Sequence, residues 1–304
     1  MNSPAPAPAR NVASRTERHL GLKLYVVLWL ALTLWLAHEY LILNHVIHGH
    51  SVLRFLHTRH LFLNGEKLDP AAGGMLSYRL GWTGFIILLL TNFYVLRKRW
   101  SPLKKYGSVP GWLNFHIFCG MIGPTFIVFH TNFKVGGLVA ISFWSMIVSF
   151  TSGVVGRYFY LQLLEQAGDL HDRIVRYEDS FRRLQRTMQL PPEKLERMKV
   201  ESLRLAGGTA AMAAGRASLL SVVLDSMAGD LRLFFQTPTV PRGLPRALGV
   251  HLRDYGRARR RLITASYYHR LMGYWHTFHV PFAVFMYSVS IIHIAAALIF
   301  RVNY

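Results

Sequence analysis

An apolar run from Tyr267 to Arg301 is long enough to cross a bilayer, and it carries His279 and His293 fourteen positions apart. The run from Trp112 to Phe133 repeats that interval with His116 and His130. At 100° per residue, fourteen steps fall about 40° short of four full turns. Each pair therefore lies on one helix face, its members roughly 21 Å apart along the axis. Two such helices side by side present two facing histidine pairs, one near each membrane surface.

Composition agrees with a membrane setting: 52% of the 304 residues are hydrophobic and 16% charged, which points away from an ordinary soluble domain. Five segments are apolar over a spanning length, at about Leu22–Leu43, Tyr78–Leu96, Trp112–His130, Leu138–Tyr160 and Tyr268–Phe300. The expected fold class is all-α, a polytopic membrane bundle of about five transmembrane helices with a helical cytoplasmic insert. The expected division is an N-terminal tail (1–21), helices one to four (22–160) with a His-rich external loop (44–76), the insert (161–266) and the last helix (267–304). No small-residue cleavage site follows the first span, so it is expected to be a retained anchor.

The net charge of +20 matters less than where the cations lie. Arg10, Arg15, Arg18 and Lys23 crowd the N-terminal tail. Arg97, Lys98, Arg99, Lys104 and Lys105 fill the second-to-third connection, where no acid accompanies them. Both regions are expected to be cytoplasmic, which places the C-terminus outside and a cell membrane, as in the bacterial inner membrane, around the chain. Spans three and five then run parallel, so that His116 meets His279 at the inner surface and His130 meets His293 at the outer one. Lipid is the expected partner of the basic surfaces, not nucleic acid.

Facing imidazoles at two depths are the geometry of two b-type haems stacked across a bilayer. Between the histidines the same faces carry Gly120, Gly123 and Ile127 on one run and Ala283, Met286 and Ser290 on the other. Small residues there let a flat macrocycle approach the backbone. The lone Cys119 rules out a C-x-x-C-H attachment site, a cysteine-held cluster and an internal disulfide. If iron is held in this chain, imidazole must hold it.

Other residues are weaker candidates. His38, at the membrane edge, is a possible ligand or hydrogen-bond donor to haem. His45, His48, His50, His57 and His60 crowd the first loop without companion acids, and an amphipathic surface segment is the expected reading. Arg157, at the end of the fourth span, suits either a haem propionate or a lipid phosphate. His276 is rotated about 100° from the face shared by His279 and His293; it competes as inner ligand or reaches a propionate or a quinone. The insert counts 20 Lys and Arg against 11 Asp and Glu between Arg157 and Arg270. Its run Arg257, Arg259, Arg260, Arg261 is expected to face anionic headgroups or an acidic redox partner. Helical periodicity covers Gln162–Met188, Glu193–Leu205, Arg216–Phe235 and Pro245–Ile263. Gly207, Gly208 and Gly215 form no dinucleotide fingerprint.

The doubled interval resembles the transmembrane two-haem cytochromes b, of both the ferric reductase or NADPH oxidase type and the respiratory type. The resemblance covers spans three to five and makes His116, His130, His279 and His293 axial ligands of two haems b. It implies electron transfer with partner proteins on one or both faces, and quinone as a further partner. The reductases of that type append a flavin and nicotinamide domain, which is not found after the last span here. Three functions stay open: an electron-carrying subunit of an oxidoreductase complex, a quinol- or acceptor-reacting oxidoreductase in its own right, and a haem-free scaffold or transporter with a histidine proton relay.

Overall fold

The computed structural model describes residues 10–63, 67–71, 73–164, 167–238, 240–241, 244–245 and 247–299, and among these all regular structure is helical. Five helices are long and apolar enough to cross a membrane: Lys23–Leu43, Met75–Arg99, Val109–His130, Val139–Gln162 and Ala247–Ile299. The chain is a multi-pass membrane protein of all-α class in contact with lipid. Positions 1–9 of the expected tail and 300–304 of the expected last span lie outside the described residues.

The chain forms two units, one comprising the described residues up to Gly153 with those from Pro281 onward, the other Val154–Val280. In the first unit α1 (Arg10–Leu43) leads through α2 (Val52–Thr58) to α3 (Met75–Leu90) and α4 (Asn92–Arg99). A 3-10 turn at Pro102–Lys105 then precedes α5 (Val109–His130). The beginning of α6 (Gly137–Gln162) and the end of α11 (Ala247–Ile299) complete it. The second expected span is interrupted at Thr91. There the Thr91 hydroxyl donates to Leu88 O at 2.7 Å and the Asn92 amide to Leu89 O at 3.1 Å, which draws the backbone out of one continuous ladder. Helix α5 starts on Ser108, whose hydroxyl accepts from Gly111 N, with Pro110 in the first turn. Pro124 and Pro281 sit inside unbroken helices.

The first loop is tied by a residue that sequence reasoning passed over. Glu39, fully buried, accepts from Ser51 Oγ at 2.5 Å, Val52 N at 2.8 Å and Leu53 N at 3.1 Å. Its carboxylate thus caps α2 and complements that helix's positive end. Arg97, counted above as a cytoplasmic charge, is also buried; it folds its loop by donating to the carbonyls of Lys104, Tyr106 and Gly107.

The second unit contains α7 (Ala167–Thr187), α8 (Pro192–Leu205), α9 (Ala210–Ala213), α10 (Leu219–Phe235), the end of α6 and the first part of α11. It reaches beyond the expected insert on both sides, taking in the ends of two spans. One core joins Leu170, Ile174, Phe181, Leu195, Leu252 and Tyr255, and another joins Phe159, Met212, Val222, Tyr267 and Tyr268. The basic run on α11 does not form one surface patch. Arg260 is fully buried and donates to Ala206 O at 2.7 Å, Ser226 O at 2.8 Å, Gln162 Oε1 at 3.1 Å and Asp230 Oδ1 at 2.9 Å. A buried guanidinium requires such partners, so this arginine is a core clamp. The expectation that it faces headgroups or an acidic partner is corrected; Arg259 alone of the four is fully on the surface. Gly207 has φ +84°, and a side chain on it would run into Asp225 O of α10, which gives that glycine a packing role.

Candidate functional site

Helices α3 and α5 pack antiparallel, and their contacts repeat every seven residues. His130 Nδ1 lies 2.8 Å from Ser77 O, and His116 Nδ1 lies 2.9 Å from Thr91 O. Midway, Gly84 and Gly123 meet backbone to backbone: a Cβ on Gly84 would stand 3.0 Å from Gly123 O. Ser77, Gly84 and Thr91 thus face His130, Gly123 and His116 in register. The fourteen-residue interval seen on α5 is repeated along the second span, from Ser77 on α3 to Thr91 at the break, as the acceptors for its two imidazoles.

Those acceptors fix the chemistry of the rings. A backbone carbonyl can only accept, so Nδ1 carries a proton in both histidines, and in the neutral ring Nε2 then presents a lone pair. The Ser77 hydroxyl adds a 2.6 Å bond to His130 O. The His130 ring lies flat against α3 because position 81 is glycine: a Cβ there would stand 2.8 Å from Nδ1 and 2.9 Å from Cε1. A histidine whose Nδ1 donates to a carbonyl and whose Nε2 is open is oriented as metal-ligating histidines are.

His130 and His293 line one cavity of about 1040 Å³ between α3, α5, α6 and α11. That is the top of the range, roughly 300–1,000 Å³, for cofactor and small-molecule sites. Its wall is largely apolar and includes Leu88, Ile127, Phe143, Met146 and Met286. Ser142 and Ser290 satisfy each other across it at 2.8 Å, and exposed Lys67 and Asp69 stand where it opens. His293 is half-buried and within electrostatic reach of His130. Met286 and Ser290, expected on the ligand face of the last helix, both line this space.

The other expected site residues are distributed as follows. Gly123 is turned to α3, where a Cβ would meet Leu88 at 2.7 Å, so its small size serves helix packing; Gly120 has open space beside it. His116 is half-buried beside Tyr94, ring centroids 5.5 Å apart. Tyr287 reaches the same joint, donating to Leu88 O at 2.6 Å and lying 3.1 Å from the Thr91 hydroxyl. In the second unit, His279 stacks on Trp275 at 4.9 Å and 21°, and Trp275 in turn occupies the space that a side chain on Gly156 would fill. His276 is exposed. Arg157 is half-buried with its guanidinium over Tyr160 at 5.4 Å. His38 is exposed and does not line the cavity. His45, His48, His50 and His60 are exposed as well, and among the described residues no three His, Cys, Asp or Glu side chains gather as a metal site.

Sequence reasoning missed the second span as a contributor, because it has no charged residue or histidine between Arg79 and Arg97. The detectable signal was Ser77, Gly84 and Thr91 at seven-residue steps, matched to Gly123 and the histidines of α5. Compared with protein-family models, with curated proteins and with solved structures, the chain finds no match.

Proposed function

We propose that this protein is a membrane-embedded b-type cytochrome subunit that carries electrons between the two faces of a cell membrane. The observation that supports the reading most is the cavity shared by His130 and His293, with His130 held by Ser77 O so that Nε2 is free to bind iron. The donor set suits haem b: two neutral imidazoles, an apolar wall, and a lysine at the opening to meet a propionate. Spacing along the sequence adds His116 and His279 as further candidate haem ligands, and His116 is oriented through Thr91 O as His130 is through Ser77 O. When bound, haem supplies a reversible one-electron iron couple.

The chain's own residues do the rest. The histidines would hold the haem, and the Ser77 and Thr91 carbonyls raise the basicity of the two α5 imidazoles. The apolar wall excludes water, which tunes potential. Two imidazoles holding each haem would saturate its iron, which favours electron carriage over oxygen chemistry at the metal. The distribution of Lys and Arg supports a cytoplasmic N-terminus and an external C-terminus, with redox proteins or quinone as donor and acceptor.

The test is a reduced-minus-oxidised absorbance spectrum of the purified chain with a haem-to-protein ratio. A b-type spectrum at about two haems per chain is expected from the two histidine pairs; a colourless protein overturns the proposal. Reduction by a quinol analogue with no partner present would move the chain to an oxidoreductase in its own right.

A further inference from the structure

Helix α10 is apolar on both sides. Its inner side packs Val222, Ser226, Gly229 and Leu233 into the second unit. Its outer side carries Leu220, Leu224, Met227, Leu231, Phe234 and Phe235, all exposed, with Phe234 at 80%. At 100° per residue these six occupy an arc of about 100°, running the length of a helix roughly 25 Å long. Water is a poor neighbour for so long a stripe, and a contiguous patch of this kind marks an interaction surface. No acid is exposed on α10: Asp225 and Asp230 are half-buried, while Arg232 is exposed.

What covers the stripe follows from where α10 is anchored within its unit. Asp230 accepts from Tyr158 Oη at 3.2 Å and from Gln162 Nε2 at 3.1 Å, and both donors lie in the final turns of the candidate span Val139–Gln162. Val222 of the same helix packs with Phe159, Tyr267 and Tyr268, where α6 ends and the apolar part of α11 begins. Tyrosines gathered at the ends of two spans mark the depth of a membrane interface. A helix docked there with an acid-free apolar face meets lipid first.

We infer that α10 is an in-plane membrane helix, whose outer stripe is embedded in the headgroup–acyl boundary of an anionic bilayer while Arg232 meets lipid phosphate. The occupant is the bilayer itself. The inference rests on the membrane spans and is independent of whether the chain binds haem.

The full-length protein is reconstituted at low protein-to-lipid ratio into vesicles of phosphatidylethanolamine and phosphatidylglycerol, with a nitroxide on Leu224→Cys, Met227→Cys or Leu231→Cys. Cys119 is buried, and unsubstituted protein gives its background labelling. Collision with oxygen against a water-soluble nickel chelate should place all three labels roughly 5–10 Å below the boundary, whereas a label on Arg183→Cys, exposed on α7, should collide freely with the chelate. A larger phosphatidylglycerol share should deepen the α10 labels, and Arg232→Gln should weaken that dependence. Labels on α10 as open to the chelate as the one at position 183 overturn the inference. Labels shielded from both reagents also overturn it, because protein then covers the stripe. Depths indifferent to phosphatidylglycerol overturn its anionic part.

Discussion

Gly81→Ala is the sharpest test of how His130 is held. The added Cβ would stand 2.8 Å from Nδ1, 2.9 Å from Cε1 and 3.2 Å from Cγ of His130. An unstrained contact is about 3.5 Å, so the ring must retreat from α3 by roughly 0.7 Å. Ser77 lies one turn away on the same helix, so the same movement stretches the 2.8 Å bond from Nδ1 to Ser77 O to about 3.5 Å, beyond a useful hydrogen bond. Losing it costs about 1 kcal/mol, and loss of such an orienting partner typically lowers metal affinity about 10–100-fold, or roughly 1.4–2.7 kcal/mol. The helix itself gains, since alanine is favoured over glycine by up to about 1 kcal/mol, so the fold should persist. Pyridine haemochrome analysis with a redox titration should show one haem lost or shifted in potential and the other unchanged. Gly136→Ala, which adds a Cβ with no atom within 4 Å, is the control. Wild-type occupancy and two unshifted potentials in Gly81→Ala would refute the reasoning.

The cavity shared by His130 and His293 predicts that His130→Ala and His293→Ala each lose the same haem, while His116→Ala leaves that haem in place; low-temperature spectra that assign His130 and His293 to different haems, or full retention in either variant, contradict this. Arg260→Met should destabilise the second unit by about 3–5 kcal/mol, the usual consequence of breaking a buried ion pair, seen as rapid proteolysis within 167–263; wild-type resistance would show that the clamp is dispensable. In the same unit Lys199 bonds Glu178 at 2.5 Å and Glu196 at 2.8 Å. Burial opposes both charges of the Glu178–Lys199 pair, yet hydrogen bonds from Lys199 and Tyr255 hold the Glu178 carboxyl below its ordinary value, and the two glutamates hold the Lys199 ammonium above its own. A lowered carboxyl stabilises the fold above its unfolded value and loses that as pH falls; a raised ammonium stabilises below its unfolded value and loses that as pH rises. Lys199→Met should therefore lower the melting temperature most near neutral pH, with the deficit shrinking below the ordinary glutamate value of 4.5. A deficit constant from pH 3 to 7 would contradict the assignment.

The parts of this fold that were legible in the sequence are those set by solvent. Lipid demands long apolar helices with internally satisfied backbones, so four of the five spans emerged with ends within a few residues of those observed, whereas the last helix begins at Ala247, well before the expected Tyr268, because it continues into the insert without a break. The break at Thr91 was not legible, because it depends on hydroxyl and amide side chains choosing local carbonyls over the helix ladder. Glu39 and Arg260 were not legible as structural groups either. A charge reads as surface until its partners are known, and theirs lie 12 to 14 residues away for Glu39 and 30 to 98 for Arg260. Gly123 was read as clearance for a cofactor because only its own helix was considered. In the packed pair it is the contact point with α3, while Gly81, on a helix for which no site residue was expected, is the glycine that accommodates a histidine ring.

The seven-residue seam also explains why the histidines of α5 stand fourteen apart and not at some other interval that shares a face. A straight helix drifts about 20° per seven residues, so a contact repeated at that interval persists only where two helices wrap left-handedly around each other. Along such a pair, equivalent positions return at seven and fourteen residues, and side chains at those positions meet the same kind of partner. The middle position is taken by Gly84 and Gly123, which bring the backbones close. Close backbones at the centre leave the positions seven residues to either side near enough for an imidazole on one helix to reach a carbonyl on the other. An insertion of one residue in α5 between Gly123 and His130 would rotate His130 by about 100° and cost it both Ser77 O and the cavity. The interval is therefore a requirement of the helix pair, set before any ligand is considered, and it supplies two oriented imidazoles at depths about 21 Å apart.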